Sequence, residues 1–140
     1  MQGKVLMCTV SMLLVLIIGS LSFAQEKPTK KGPMIYELRI YHIMPGKMPD
    51  INKRFNDVTM RLFQKHGMHV IGFWQTAVGE SDELTYILAF EDMNDRTRKW
   101  DAFQADPEWQ QARVQSEANG PLIARVTNKI LRPTPYSPIQ

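Results

Sequence analysis

A chain of 140 residues with 44% hydrophobic and 22% charged side chains is built to fold, and its composition excludes a disordered or fibrous protein. Its net charge of +3 includes Lys4 and is too small a bias to argue for nucleic acid. The single cysteine, Cys8, excludes an internal disulfide framework and a Cys-based metal site.

In chain order, Lys4 precedes an apolar run from Val5 to Phe23 that ends in small residues at Ser22 and Ala24, the layout of a secretory signal peptide. Cleavage after Ala24 would leave 140 − 24 = 116 residues, none of them cysteine. The expected address is therefore export, to a periplasm or outside the cell. Residues 5–23 are also near the length that spans a bilayer, so the competing reading is a retained membrane anchor, the only source of membrane contact expected. Cys8 lies inside the apolar run and not after it, which argues against a lipoprotein.

Residues 25–33, QEKPTKKGP, read as a flexible linker, and 133–140, PTPYSPIQ, as a Pro-rich tail without regular structure. Between them, 34–132 read as one domain. MIYELRIYHI alternates as a strand, with Tyr36, Leu38, Ile40 and His42 on one face and Ile35, Glu37, Arg39, Tyr41 and Ile43 on the other. Pro45-Gly46 ends it. Ile51, Phe55, Val58, Leu62 and Phe63 then form one helical stripe, with Pro49 in the first turn and Gly67 at the stop. MHVIGFWQTAV is a second strand, with Val70, Gly72 and Trp74 set against His69, Ile71 and Phe73. A turn at Gly79 to Asp82 makes ELTYILAFE its hairpin partner. Asp92 or Asn94 can cap the next helix, which carries Trp100 and Phe103 inward. Asp106-Pro107 restarts it, Asn119-Gly120-Pro121 stops it, and LIARVTNKILR is the last strand.

The order β-α-β-β-α-β predicts an α+β, ferredoxin-like fold with a four-stranded antiparallel sheet. Its helices can cover only one face of the sheet. The other is assigned Ile35, Tyr41, Ile43 and their neighbours, too apolar to stay wet, so a homodimer is expected.

YELRIYHIMPGK, LFQKHGMHVIGFWQTAVGE and ADPEWQ, in that order and spacing, resemble the NIPSNAP family of the dimeric α/β-barrel superfamily over about residues 34–132. The resemblance implies a homodimer whose sheets form a barrel, and a biochemical role that is poorly defined. The superfamily also includes cofactor-free monooxygenases and haem-degrading enzymes. The haem-degrading relatives use an asparagine, a tryptophan and a histidine in one cleft, and no histidine stands on the second helix here to act as axial ligand.

Among chemistry-bearing residues, Glu37, Arg39 and Tyr41 share one side of the first strand. They would either orient a polar ligand or form an internal or cross-dimer ion pair. His66 at a helix end is explained by the negative end of the helix dipole. His69 follows beyond a helix-breaking glycine and His42 stands on the first strand, so no metal-ligand set is expected. Trp74 beside the gap at Gly72, with Tyr86 on the neighbouring strand, could wall a site for a flat apolar ligand, or Trp74 could pack against the first helix.

Two functions follow. The first is an exported homodimeric module binding a small apolar or aromatic ligand, or a protein partner, at Arg39, Tyr41, Gly72, Trp74 and Tyr86, with no cofactor. The second is a cofactor-independent monooxygenase acting on an aromatic or polyketide-like molecule, with His42, His69 or Glu37 as general base. The second requires that base and Trp74 open into one cavity.

Overall fold

The computed structural model describes residues 34–139; the expected signal peptide (1–24) and linker (25–33) lie outside the described residues. Strand β1 (Ile35–Ile43) ends at a turn where Gly46 adopts φ +77°, as the Pro-Gly pair predicts. One helical rod follows: α1 (Met48–Arg54), a π-helical turn (Phe55–Thr59) and α2 (Met60–Lys65). The wide turn is closed by Met60 N–H donating to the Phe55 carbonyl, while the Thr59 hydroxyl donates back to the Arg54 carbonyl at 3.2 Å. It keeps Ile51, Phe55, Thr59, Leu62 and Phe63 all buried on one side of the rod. Strands β2 (His69–Gln75) and β3 (Glu83–Phe90) form the expected hairpin. Helices α3 (Met93–Ala105) and α4 (Pro107–Ser116) meet at Asp106, whose side chain accepts from Glu108 N–H, and Asp92 caps α3 by accepting from Asp95 N–H. Strand β4 (Ile123–Leu131) completes the domain.

The sheet is antiparallel throughout, in the order β2-β3-β1-β4, as a ferredoxin-like fold requires. All helices pack on one face. Their contact surface is built from Ile35, Tyr41 and Ile43 of β1 and from Leu84, Tyr86, Leu88 and Phe90 of β3, which meet Ile51, Phe55, Leu62, Phe63, Trp100, Phe103 and Trp109 of the helices.

This reverses one assignment made from the sequence. Ile35, Tyr41 and Ile43 lie under the helices, and the uncovered face is the one carrying Tyr36, Leu38, Ile40 and His42. A second correction concerns β2. A bulge at Ile71 separates the pairs Val70–Leu88 and Gly72–Ile87, so the strand does not alternate cleanly. Val70 and Phe73 both turn to the helices, whereas Gly72 and Trp74 turn to the uncovered face. Phe73, not Trp74, packs against the first helical rod, with its ring centroid 5.1 Å from that of Phe55.

Strand β4 extends past the helices: Val126 and Ile130, on its helix side, stay 42% and 40% exposed. Beyond it, the described part of the tail has no regular element but folds through a turn, Ser137 N–H donating to the Thr134 carbonyl at 2.9 Å. Pro133, Thr134, Ser137 and Ile139 lie beside Tyr36, Ile71 and Ile87 on the uncovered face. Among the described residues, no helix is long and apolar enough to cross a membrane.

Candidate functional site

The most concentrated chemistry lies between sheet and helices, around Glu37. Its position on β1 points the carboxylate at α3, and its side chain is completely buried. A buried carboxylate without partners would be prohibitively unfavourable. This one accepts five hydrogen bonds. Arg96 closes a fork on it, Nε to Oε2 at 2.8 Å and Nη2 to Oε1 at 2.7 Å. Trp100 Nε1 donates at 2.6 Å, Arg39 Nη1 at 2.9 Å and Asn128 Nδ2 at 2.7 Å. Burial by itself would push the Glu37 pKa up, but the donors from Arg96, Trp100 and Arg39 outweigh it and hold the carboxyl below its ordinary value of 4.5.

Arg39 extends the cluster into an aromatic nest. Its guanidinium carbon sits 4.6 Å from the Trp100 ring centroid, 5.6 Å from that of Tyr41 and 5.9 Å from that of Tyr86. The fully buried Tyr86 hydroxyl donates to the Tyr41 hydroxyl at 2.8 Å, and burial drives the Tyr86 pKa well up, so the phenol stays neutral. Phe73 stacks on Tyr86 at 4.9 Å, sealing the nest from the β2 side.

The structure thus brings Glu37, Arg39, Tyr41 and Tyr86 together and separates them from the other residues singled out in the sequence. Gly72 and Trp74 are on the opposite face. The Trp74 indole also fills the gap that Gly72 leaves, since a Cβ at position 72 would stand 2.8 Å from two of its ring carbons. Replacing Gly72 with valine is expected to swing the half-exposed indole into water with a stability change below about 1 kcal/mol. Acrylamide quenching should rise for Trp74, because Trp100 and Trp109 are buried. Unchanged quenching would mean that the indole does not rest on Gly72.

His69 is exposed at the start of β2, while His42 lies on the uncovered face of β1. His42 Nε2 is 3.1 Å from the Thr127 hydroxyl and Nδ1 is 3.2 Å from a Glu83 carboxylate oxygen. His42, Glu80 and Glu83 form the one group of three metal-ligating side chains among the described residues, their ligand atoms within 4.8 Å of one another. Arg125, with Nη2 3.4 Å from His42 Nδ1, already places a cation there. His66 is tied instead to Asp106 at 2.7 Å, beside Lys65 at the same distance. Hydrogen bonds from Lys65 and His66 hold the Asp106 carboxyl well below the usual carboxylate range.

Two members of the Glu37 cluster, Arg96 and Asn128, are not singled out in the sequence, and Trp100 is placed by it only as an inward-facing helix residue. A signal existed for each. A buried indole N–H needs an acceptor, and Arg96 stands four residues before Trp100, on the same helix face. Asn128 alternates with Val126 and Ile130, and lies directly across from Arg39 in the β1–β4 register.

A family model described as NIPSNAP matches residues 36–138. The chain belongs to the NIPSNAP family. Among curated relatives, NipSnap homolog 1 of Danio rerio is 25% identical over 119 residues, covering 85% of this chain and 41% of the relative. The chain therefore spans less than half the length of that relative. Among solved structures, a NIPSNAP family protein of unknown function from Agrobacterium tumefaciens aligns with a TM-score of 0.69 at 28% identity, over 77% of this chain and 95% of that one. A proposed antibiotic biosynthesis monooxygenase from Caulobacter crescentus aligns at 0.52 with 12% identity, over 73% and 91% of the two chains, a likeness of fold alone. Residues 36–138 include every member of the Glu37 cluster, so the cluster belongs to the NIPSNAP domain itself.

Proposed function

We propose that this NIPSNAP domain is exported and works as a homodimeric binding module, two copies joined through their uncovered sheet faces, holding a small apolar or aromatic ligand or a protein partner. The observation that carries this reading is the uncovered face itself. It presents Leu38, Ile40 and Trp74, with Thr85 and Thr127 flanking Ile40, and Ile71, Ile87 and Leu131 beside the C-terminal tail, with no helix layer over any of them. Trp74 is 49% and Leu131 39% exposed, and apolar surface without a covering layer is where a second chain is expected to pair. A second copy related by a two-fold axis would cover it and would also enclose the exposed edge strand β4.

The monooxygenase reading has less support. Its general base would have to open into one cavity with Trp74, and Glu37 is the nominated base that stands against the aromatic nest instead. A carboxylate held ionised by five donors, with its pKa depressed, is a poor proton acceptor. His42 shares the uncovered face with Trp74, but its ring nitrogens are already engaged by Thr127, Glu83 and Arg125, and His69 stands at the exposed start of β2. Glu37 and Trp74 lie on opposite faces of the sheet, so they do not share a cavity.

Sedimentation velocity of the protein at micromolar concentration tests the proposal. A species of twice the chain mass supports it, and a monomer would remove its basis.

A further inference from the structure

We propose that the cavity between the uncovered sheet face and the C-terminal tail binds a small amphipathic acid, its apolar body against the sheet and its carboxylate at Arg132. The inference rests on the reading of this chain as a binding module and gives that module a site and a ligand class.

The cavity measures about 270 Å³, just below the range of about 300–1,000 Å³ usual for small-molecule sites. Its floor is Tyr36, Ile71 and Ile87, from three adjacent strands, and its walls include Leu131 and Ile139. The bulge in β2 contributes the floor directly, because it turns Ile71 into the cavity beside Gly72. The tail is held in a defined shape over it. Ser137 N–H donates to the Thr134 carbonyl, the Ser137 hydroxyl donates to the Ile139 carbonyl at 2.7 Å, and Ile139 N–H returns a bond to that hydroxyl at 3.2 Å. Yet Leu131 and Ile139 remain 39% and 49% exposed. The strap thus arches over the sheet without filling the space beneath it, and leaves apolar surface for an occupant to cover.

Charge decides the class of occupant. Arg132 is the one charged residue that lines it, with Thr134 and Ser137 on the tail and Tyr36 on the floor as the residues bearing hydroxyls. No acidic residue lines the cavity among the described residues, and Arg132 makes no ion pair among them. A largely apolar cavity whose one charged lining residue is cationic complements an apolar body ending in a carboxylate, and disfavours an amine of the same shape.

Calorimetric titration of the full chain with decanoate, with decylamine as the charge-reversed control, tests this. Saturable binding of one decanoate per chain is expected, at least tenfold tighter than decylamine. Arg132→Gln, at an exposed site, should weaken it at least tenfold, and Ile87→Trp should abolish it by filling the floor. Equal affinity for acid and amine, an unchanged Arg132→Gln variant, or no saturable uptake would each overturn the proposal. Sedimentation of the same samples separates it from the dimer. A monomer that binds decanoate retires the dimer and keeps the site, and a dimer that binds none does the reverse. Binding that vanishes as the dimer forms would make the partner copy the occupant and overturn the proposal.

Discussion

Glu37→Ala is expected to destabilise the domain by about 3–5 kcal/mol, because it strips the shared acceptor from two guanidiniums, an indole N–H and an amide. For a domain whose whole stability is on the order of 5–15 kcal/mol, that leaves little margin. Glu37→Gln is the more informative change. It preserves the shape but leaves the positive charges of Arg39 and Arg96 facing a neutral amide. Urea unfolding monitored by circular dichroism should show a large fall in midpoint for both variants. A drop below about 1 kcal/mol in Glu37→Gln would mean that the cluster does not hold helix α3 to the sheet.

The same carboxylate predicts a pH dependence. Its pKa in the folded protein is lowered, so its stabilising contribution is complete above the ordinary value of 4.5 and is lost as pH falls through the lower folded value. Asp95 and Asp106 are depressed too and act in the same direction. The wild-type chain should therefore lose stability on the acid side below pH 4.5, and the Glu37→Gln variant should show a shallower acid limb without losing it entirely.

Ile40→Asp is expected to split the proposed dimer. Ile40 stands at the centre of the uncovered face, opposite Thr85 on β3 and Thr127 on β4. A carboxylate at the middle of the proposed interface should weaken self-association about 100-fold, equivalent to about 2.7 kcal/mol. The helix-side core does not include this position, so the monomer should keep its far-ultraviolet circular dichroism. The apparent melting temperature should fall and lose its dependence on protein concentration. Val78, 96% exposed in the β2–β3 turn, provides the control: Val78→Asp should change neither property. An Ile40→Asp chain that sediments as the wild type does would place the contact between copies elsewhere.

Local chemistry made much of this architecture readable in advance. Pro45-Gly46, Gly67, Asp92, Asp106-Pro107 and Gly120 mark their turns and caps as expected, since each acts through its own backbone geometry; all three glycines have positive φ. The facing of β1 was not readable, for a physical reason. Both of its sides carry large apolar residues, and the side with the two charges is the buried one. Alternation counts hydrophobicity, so Glu37 and Arg39 weigh against burial unless their partners are known. Those partners, Arg96, Trp100 and Asn128, lie 59, 63 and 91 residues from Glu37, and only the folded chain brings them to it. The bulge at Ile71 was likewise invisible in the alternation of β2. One extra residue reassigned Val70, and Trp74 took the open side while Phe73 took the core. Of the site residues, Glu37, Arg39, Tyr41 and Tyr86 fell into one cluster because they share the helix-facing side of β1 and β3; Gly72 and Trp74 share only the other.

Native mass spectrometry of the protein purified from its own host tests the central claim most directly. The expected result is a dimer carrying an additional small mass, at the mass of 116 residues per chain if the proposed export removes residues 1–24. A monomer with nothing bound, at concentrations where the apolar face would be satisfied by pairing, would contradict it.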